Sequence, residues 1–280
     1  MQGIYDLMDR LLPLEALHYN FMKNALLAIL LLTPLLGLLG TMAVNRQMAF
    51  FSDALGHSAL TGIGLGILLG AASDLLSMLV FGVLWALLIS LIRHTGTAGA
   101  DTVISVFSST SVALGLLILS RGGGFARYSS LLVGDVLAVT PLDLLYLLLA
   151  LVLGVLAWFL LYNRLLLTSV SASLARSRGV HTRLCEIAFG VLVALAVMLA
   201  IRWVGVMLIN ALLIIPAAAA RNLAGSARRH ALFSIAFAMV SGVAGLFSAY
   251  AWNTSAGAAI VLYAAFFYLL SLLLHRRVRG

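Results

Sequence analysis

Long apolar runs recur along the whole sequence, and each is close to the length needed to cross a membrane. Crossing about 30 Å of hydrocarbon takes roughly 20 residues of α-helix. Only 9% of the residues are charged, against roughly 25% in an ordinary soluble domain. The apolar runs cover residues 21–44, 47–69, 75–92, 102–120, 142–162, 187–201, 204–220, 231–250 and 257–274. The pattern predicts a multi-pass membrane protein.

The runs favour helices over a transmembrane β-barrel. Strands of a barrel alternate polar and apolar residues over about ten positions, whereas residues 144–153 are apolar throughout. The breaks at 121–141 and 163–186 are too short for a soluble domain. We therefore expect an all-α, polytopic bundle forming one transmembrane domain over residues 1–280. It should have eight or nine spans, because Pro34 allows the first run either to cross or to bend back.

The positions of the basic residues predict the orientation. Positively charged loops are retained in the cytoplasm, so we place the basic C-terminal tail there and alternate the runs backwards. Twelve of the 17 Lys and Arg residues then share the cytoplasmic side, namely Arg46, Arg93, Arg164, Arg176, Arg178, Arg183, Arg221, Arg228, Arg229, Arg276, Arg277 and Arg279. Orientation thus explains the net charge of +8 without a nucleic-acid partner, and predicts a multi-pass protein of the cytoplasmic (inner) membrane.

Asp53 and His57 are the ionisable residues expected deepest in the membrane. Measured from Arg46, a rise of 1.5 Å per residue puts them about 10 and 16 Å along a helix. Their i, i+4 spacing places both on one helix face, where a carboxylate and an imidazole can bind Zn²⁺, Mn²⁺ or Fe²⁺. A self-satisfied pair and a proton relay are the alternatives. Other acids and histidines lie at run ends, where water or headgroups solvate them: Asp74, Asp101, Asp143, Glu186, His94, His181, His230 and His275.

A stripe of small residues runs beside this pair. Ala54, Ser58, Gly62, Gly66 and Gly70 repeat every four residues, which lets a second helix approach closely. We expect helix packing at Ser58, Gly62 and Gly66. A metal site at the edge of that contact would gather further ligands from a second helix or from a second copy of the chain.

Three stretches resemble signatures of the membrane subunits of ABC importers for zinc, manganese and iron. They are residues 51–66 (FSDALGHSALTGIGLG), 132–139 (LVGDVLAV) and 204–220 (VGVMLINALLIIPAAAA). The resemblance extends from about residue 21 to the C-terminus. Thr61 departs from the pattern, since many members have proline there, and the loop at 171–180 lacks an acidic residue often found in the family.

The resemblance implies a permease that works as a homodimer in the lipid bilayer. Its implied partners are two cytoplasmic ABC ATPase subunits and an extracytoplasmic metal-binding protein. The sequence has no phosphate-binding Gly-x-x-x-x-Gly-Lys-Ser/Thr loop, and its only lysine is Lys23, so a partner must bind ATP. We therefore expect a transport subunit, not an enzyme, with no permanently bound cofactor and with the divalent metal as cargo.

The cytoplasmic loop at 163–186 is the expected contact with the ATPase. Residues 174–180 predict a short helix closed by Gly179, and in the family the matching stretch is a coupling helix, which assigns Ala175, Arg176, Arg178 and Gly179 to coupling. A solvated basic loop is the alternative. Pro216 is expected either to kink a gating helix or to be tolerated by its neighbours.

The expected mechanism is alternating access around Asp53 and His57. Two other transport classes stay open on the sequence. A permease for a metal chelate, such as a siderophore or cobalamin, needs no direct metal ligands. A secondary ion-coupled transporter would use Asp53 to carry a proton.

Overall fold

The structure is a computed structural model that describes residues 2–11, 15–94, 96, 99–121, 134 and 136–279. No strand occurs within those ranges, which confirms the all-α prediction for them. Short 3₁₀ turns lie at Glu15–His18 and Val136–Ala138. The helices are α1 (Gln2–Leu11), α2 (Asn20–Asn45), α3 (Phe51–Leu68), α4 (Asp74–Arg93), α5 (Ala100–Arg121), α6 (Pro141–Val170), α7 (Ala172–Ser177), α8 (Thr182–Leu223), α9 (Ala227–Trp252) and α10 (Ala256–Arg279).

Seven of the described helices are long and apolar enough to cross a bilayer, namely α2, α4, α5, α6, α8, α9 and α10. The remaining long helix, α3, has 18 residues and carries Asp53 and His57, which lower its apolar content. Pro34 lies inside a continuous α2. The prediction of eight or nine spans therefore depends on how α3 and α8 are counted.

Helix α8 joins two predicted runs, and its departure from helical geometry falls at Gly205, two residues beyond the predicted break between residues 201 and 204. The helix has 42 residues with non-helical dihedrals only at Gly205, where φ is 78° and ψ is 161°. Such a positive φ is open to glycine and costly for other residues. A straight helix of this length would measure about 63 Å, roughly twice the hydrocarbon thickness.

The chain divides into two compact units. The first unit contains residues 1–41, 133–152 and 203–280, and the second contains residues 42–132 and 153–202. Asp53, His57 and α7 belong to the second unit, whereas Pro216 belongs to the first.

In the first unit, backbones approach closely at the break in α8. Gly134 has φ of 74°, and a Cβ atom added to it would lie under 3.0 Å from the carbonyl group of Val204 and from the amide nitrogen of Gly205. Elsewhere in this unit, the Ser234 hydroxyl donates to the carbonyl oxygen of Gly37 across 2.8 Å. Gly134 therefore packs directly against the non-helical residue of α8.

In the second unit, α3 lies between α4 and α5. A Cβ on Gly62 would lie 3.0 Å from Cβ of Phe81, and one on Gly66 would lie 2.6 Å from Cβ of Ser77. The small stripe thus packs at these two positions against α4 of the same chain. On the α5 side, the Thr61 hydroxyl donates to the carbonyl oxygen of Ser111. A proline at position 61 would lack this contact.

Candidate metal site and coupling segment

A tight turn sets where the metal-site helix begins. The chain leaves α2 at Asn45, and Gln47 adopts a left-handed φ of 55°, while the Met48 amide donates to the Ala43 carbonyl at 2.9 Å. Helix α3 consequently starts at Phe51, later than the predicted run that opens at residue 47. Asp53 therefore lies in the first turn of α3, with His57 one turn further along.

The structure brings Asp53 and His57 together on one face of α3, as predicted. Nε2 of His57 lies 3.5 Å from Oδ1 of Asp53, and the side chains are 29% and 42% exposed, respectively. The neighbouring Ala54 and Ser58 are fully buried, and the Ser58 hydroxyl donates to the Leu55 carbonyl. The pair thus lies on a partly exposed face of α3, which we call the open face, beside buried neighbours.

The separation of the two atoms suits a shared metal ion. At 3.5 Å it exceeds the usual 2.7–3.2 Å of a good N–H···O hydrogen bond. An ion placed about 2.1 Å from each atom would subtend roughly 113° between them, close to the roughly 109° of tetrahedral coordination. The arrangement can therefore supply one oxygen and one nitrogen ligand to a single divalent ion.

One chain supplies only part of a coordination shell at this position. Among the residues that the structure describes, no group of three or more His, Cys, Asp or Glu residues is placed to hold a metal. A transported ion commonly takes four or more ligands. Further ligands would have to come from water or from another chain that covers the open face.

The short helix predicted in the loop at 163–186 is present as α7. Ser171 caps its N-terminus by accepting a hydrogen bond from the Leu174 amide. At its C-terminus, Gly179 has φ of 74°, and the Val180 amide donates to the Ala175 carbonyl at 2.9 Å. This is the Schellman arrangement, which requires the left-handed residue that the sequence analysis assigned to Gly179.

The proposed coupling residues differ in their exposure. Ala175 is fully buried, whereas Arg176, Arg178 and Gly179 are exposed. A guanidinium on an exposed short helix suits recognition of carboxylates on a partner. The role of these residues in coupling stays a prediction.

Pro216 lies within α8, and its role in gating stays a prediction. The non-helical dihedrals of this helix fall at Gly205. One residue after Pro216, the carbonyl oxygen of Ala217 lies 2.9 Å from Nε2 of His230. His230 is only 5% exposed, so the expectation that water or headgroups solvate it is wrong.

Glu186 is half-buried and paired with basic side chains, in contrast to the expectation that water or headgroups solvate it. Its side chain is 13% exposed, with Oε1 at 2.9 Å from Nη1 of Arg93 and Oε2 at 3.1 Å from Nε2 of His94. Nη2 of Arg46 lies 3.8 Å from the same carboxylate. Burial lowers the pKa of Arg46, and attraction to Glu186 opposes part of that shift. We call Arg46, Arg93, His94 and Glu186 the Glu186 cluster.

The chain has several long apolar helices and two potential metal ligands on the open face of α3. These features are typical of a membrane transport protein. The chain matches the ABC 3 transport family over residues 18–275 and belongs to that family. The family resemblance carried by residues 51–66, 132–139 and 204–220 is thereby confirmed.

Similar proteins cover nearly the whole chain. It is 31% identical over 259 residues to the manganese import system permease protein ScaB of Streptococcus gordonii, covering 92% of this chain and 93% of that protein. It is 30% identical over 265 residues to the high-affinity zinc uptake system membrane protein ZnuB of Haemophilus influenzae, covering 93% and 100%. The solved structure of PsaBC from Streptococcus pneumoniae in complex with Fab aligns with a TM-score of 0.80 and 30% identity, covering 97% and 95%.

Proposed function

We propose that this chain is the membrane-spanning permease subunit of an ATP-driven importer of a divalent transition metal ion, Mn²⁺, Zn²⁺ or Fe²⁺. The observation that carries the proposal is the Asp53–His57 pair, whose two ligand atoms lie 3.5 Å apart on an open face of α3. Relatives named for manganese import and for zinc uptake support the choice of cargo. An exposed carboxylate facing hydrocarbon would be costly, so a polar path or a partner should cover this face.

A second copy of the chain is the partner that we propose for the open face. Two copies related by a two-fold axis would each contribute Asp53 and His57, giving four protein ligands around one ion. This arrangement explains why one chain offers only two of them. A site shared between chains and completed by water would also release its ion more readily than a closed structural site.

The topology that we propose has eight or nine spans with the C-terminus in the cytoplasm. Helix α3 counts as one span, and α8 counts as two spans that meet at Gly205. Only an even number of crossings keeps the basic segments at both ends of α8 on the same side of the membrane. The continuous α2 favours nine, with the N-terminus outside. Cysteine accessibility at position 2 in intact cells tests this side.

Two cytoplasmic ABC ATPases and an extracytoplasmic metal-binding protein complete the proposed importer. The ATPases would contact α7 and its exposed Arg176 and Arg178. ATP binding and hydrolysis would shift the equilibrium between conformations that open the Asp53–His57 site to one side of the membrane or to the other. The ion would arrive from the binding protein and leave into the cytoplasm.

The proposal is tested by metal uptake into proteoliposomes that contain the permease and its ATPase. Asp53→Ala and His57→Ala should each abolish ATP-dependent uptake of Mn²⁺ and Zn²⁺ while the complex still assembles. His18→Ala and Asp101→Ala are matched controls, since both side chains are exposed outside the site, and both should transport normally. Normal uptake by His57→Ala would contradict the site, and uptake driven by a proton gradient without ATP would contradict the class. Uptake of metal only as a chelate would contradict the proposed cargo.

A further inference from the structure

Residues on both sides of α7 contact Arg46, which lies in the turn that precedes α3. Thr168 lies near the end of α6, three residues before the N-cap of α7, and its Oγ1 accepts a hydrogen bond from Nη1 of Arg46 at 3.0 Å. Glu186 lies in the second turn of α8, beyond the other end of α7, and its carboxylate lies 3.8 Å from Nη2 of the same guanidinium. Arg46 is therefore contacted from both sides of the segment that contains α7.

Arg46 occupies a position from which movement would reach the metal site. It lies in the turn between α2 and α3, and its amide donates to the Met42 carbonyl at 3.0 Å. Asp53 follows seven residues later, in the first turn of α3. A displacement of the Arg46 side chain would therefore act on the N-terminal end of the helix that carries the metal ligands.

The Glu186 cluster is poorly suited to a purely stabilising role. Burying charges costs desolvation free energy that their attraction often fails to repay, so apolar packing would serve stability as well. Here two guanidinium groups on partly buried side chains share one carboxylate. Desolvation lowers the pKa of Arg46, and repulsion by Arg93 lowers it further. Without the negative charge of Glu186, Arg46 and Arg93 would repel each other inside the protein. Glu186 thus determines whether Arg46 can stay in place.

We propose that Thr168 and Glu186 are positioning residues that hold Arg46 and thereby transmit movement of α7 to the α3 turn and to Asp53. The contact of one guanidinium with residues on both sides of the segment carries this inference. It rests on the proposed function, because it assigns a transmission route to the same importer. Neither residue would touch the transported ion.

Thr168→Val provides the cleanest test, because it removes the hydroxyl and keeps the side-chain shape. The matched control is Ser169→Ala, since the Ser169 hydroxyl donates to the Leu166 carbonyl of its own helix, just as the Thr168 hydroxyl also donates to the Leu165 carbonyl. A difference between the two variants therefore reports the loss of the Arg46 contact. Glu186→Gln is the second variant and removes only the charge.

The measurement is the amount of ATP hydrolysed per Mn²⁺ ion transported in proteoliposomes, together with Mn²⁺ bound by the purified complex. We expect Thr168→Val and Glu186→Gln to raise ATP consumption per ion by about tenfold or more, as for loss of one hydrogen bond to a charged group. Bound Mn²⁺ should stay at the wild-type level in both, and Ser169→Ala should match the wild type in both assays.

The inference is overturned if ATP consumption per ion in Thr168→Val equals that of Ser169→Ala, whatever the melting temperature of the variants. It is also overturned if Thr168→Val lowers bound Mn²⁺ together with transport, because the residue would then act on ion binding. If Glu186→Gln fails to fold, the result for Thr168→Val decides alone. Absence of ATP-driven uptake in the wild-type complex would refute the proposed function instead, so the two failures are distinguishable.

Discussion

Gly134→Ala should destabilise the protein more than an alanine at a positive-φ glycine where an added Cβ atom would contact nothing. The Cβ atom would overlap the Val204 carbonyl group and the Gly205 amide nitrogen, which are backbone atoms that cannot rotate away. Gly70→Ala is the matched control, because Gly70 has φ of 67° and nothing within 4 Å of an added Cβ. The two variants share the backbone cost and differ in the overlap.

The expected magnitudes follow from these two terms. A left-handed conformation costs a non-glycine residue about 1–2 kcal/mol, which is the whole expected effect at Gly70. Overpacking adds about 1–3 kcal/mol, so Gly134→Ala should lower the free energy of unfolding by about 2–5 kcal/mol. The difference between the variants measures the packing of Gly134 against the non-helical residue of α8.

The assay is the apparent melting temperature of each purified variant in detergent, read from the size-exclusion peak after heating. Each kcal/mol corresponds to roughly 2–4 °C for a domain somewhat smaller than this chain. Gly134→Ala should therefore melt at least about 2 °C below Gly70→Ala. Equal melting temperatures would refute the close approach of Gly134 to Val204 and Gly205.

Three further predictions concern α3 and α7. Gly66→Ala should lower the melting temperature, because its Cβ would lie 2.6 Å from Cβ of Ser77. Adding Ser77→Gly should restore part of the lost stability, and no recovery in this double variant would argue against the contact. Charge reversal at Arg176 and Arg178 should uncouple ATP hydrolysis from metal uptake, and unchanged coupling would show that another segment contacts the ATPase. Ser171→Ala should destabilise α7 by about 1 kcal/mol through loss of its N-cap, raising protease cleavage there, whereas unchanged cleavage would contradict the cap.

The helical segments were readable from the sequence because a membrane imposes both length and composition. All nine apolar runs lie within helices, with small differences at the ends, such as the start of α3 at Phe51. The break in α8 lies two residues beyond the gap between the runs at 187–201 and 204–220. The apolar pattern marks where a run is interrupted, whereas the departure from helical geometry falls at a single residue of positive φ, Gly205.

Pairings between distant residues could not be predicted in the same way. Asp53 and His57 are one helical turn apart, so local geometry alone placed them on one face. Glu186 contacts Arg46 and Arg93, which lie far away along the chain, and no periodicity reports such a contact. Similarly, the stripe through Gly62 indicated a close helix neighbour without identifying α4 as that neighbour.

The central claim is that Asp53 and His57 bind the transported ion, and metal content measures this most directly. The purified wild-type permease is equilibrated with Mn²⁺ or Zn²⁺, and unbound metal is then removed. Elemental mass spectrometry should find about one bound ion per two copies of the chain. His57→Ala and Asp53→Ala should retain none, while His18→Ala should match the wild type. Retention of the ion by folded His57→Ala would contradict the account.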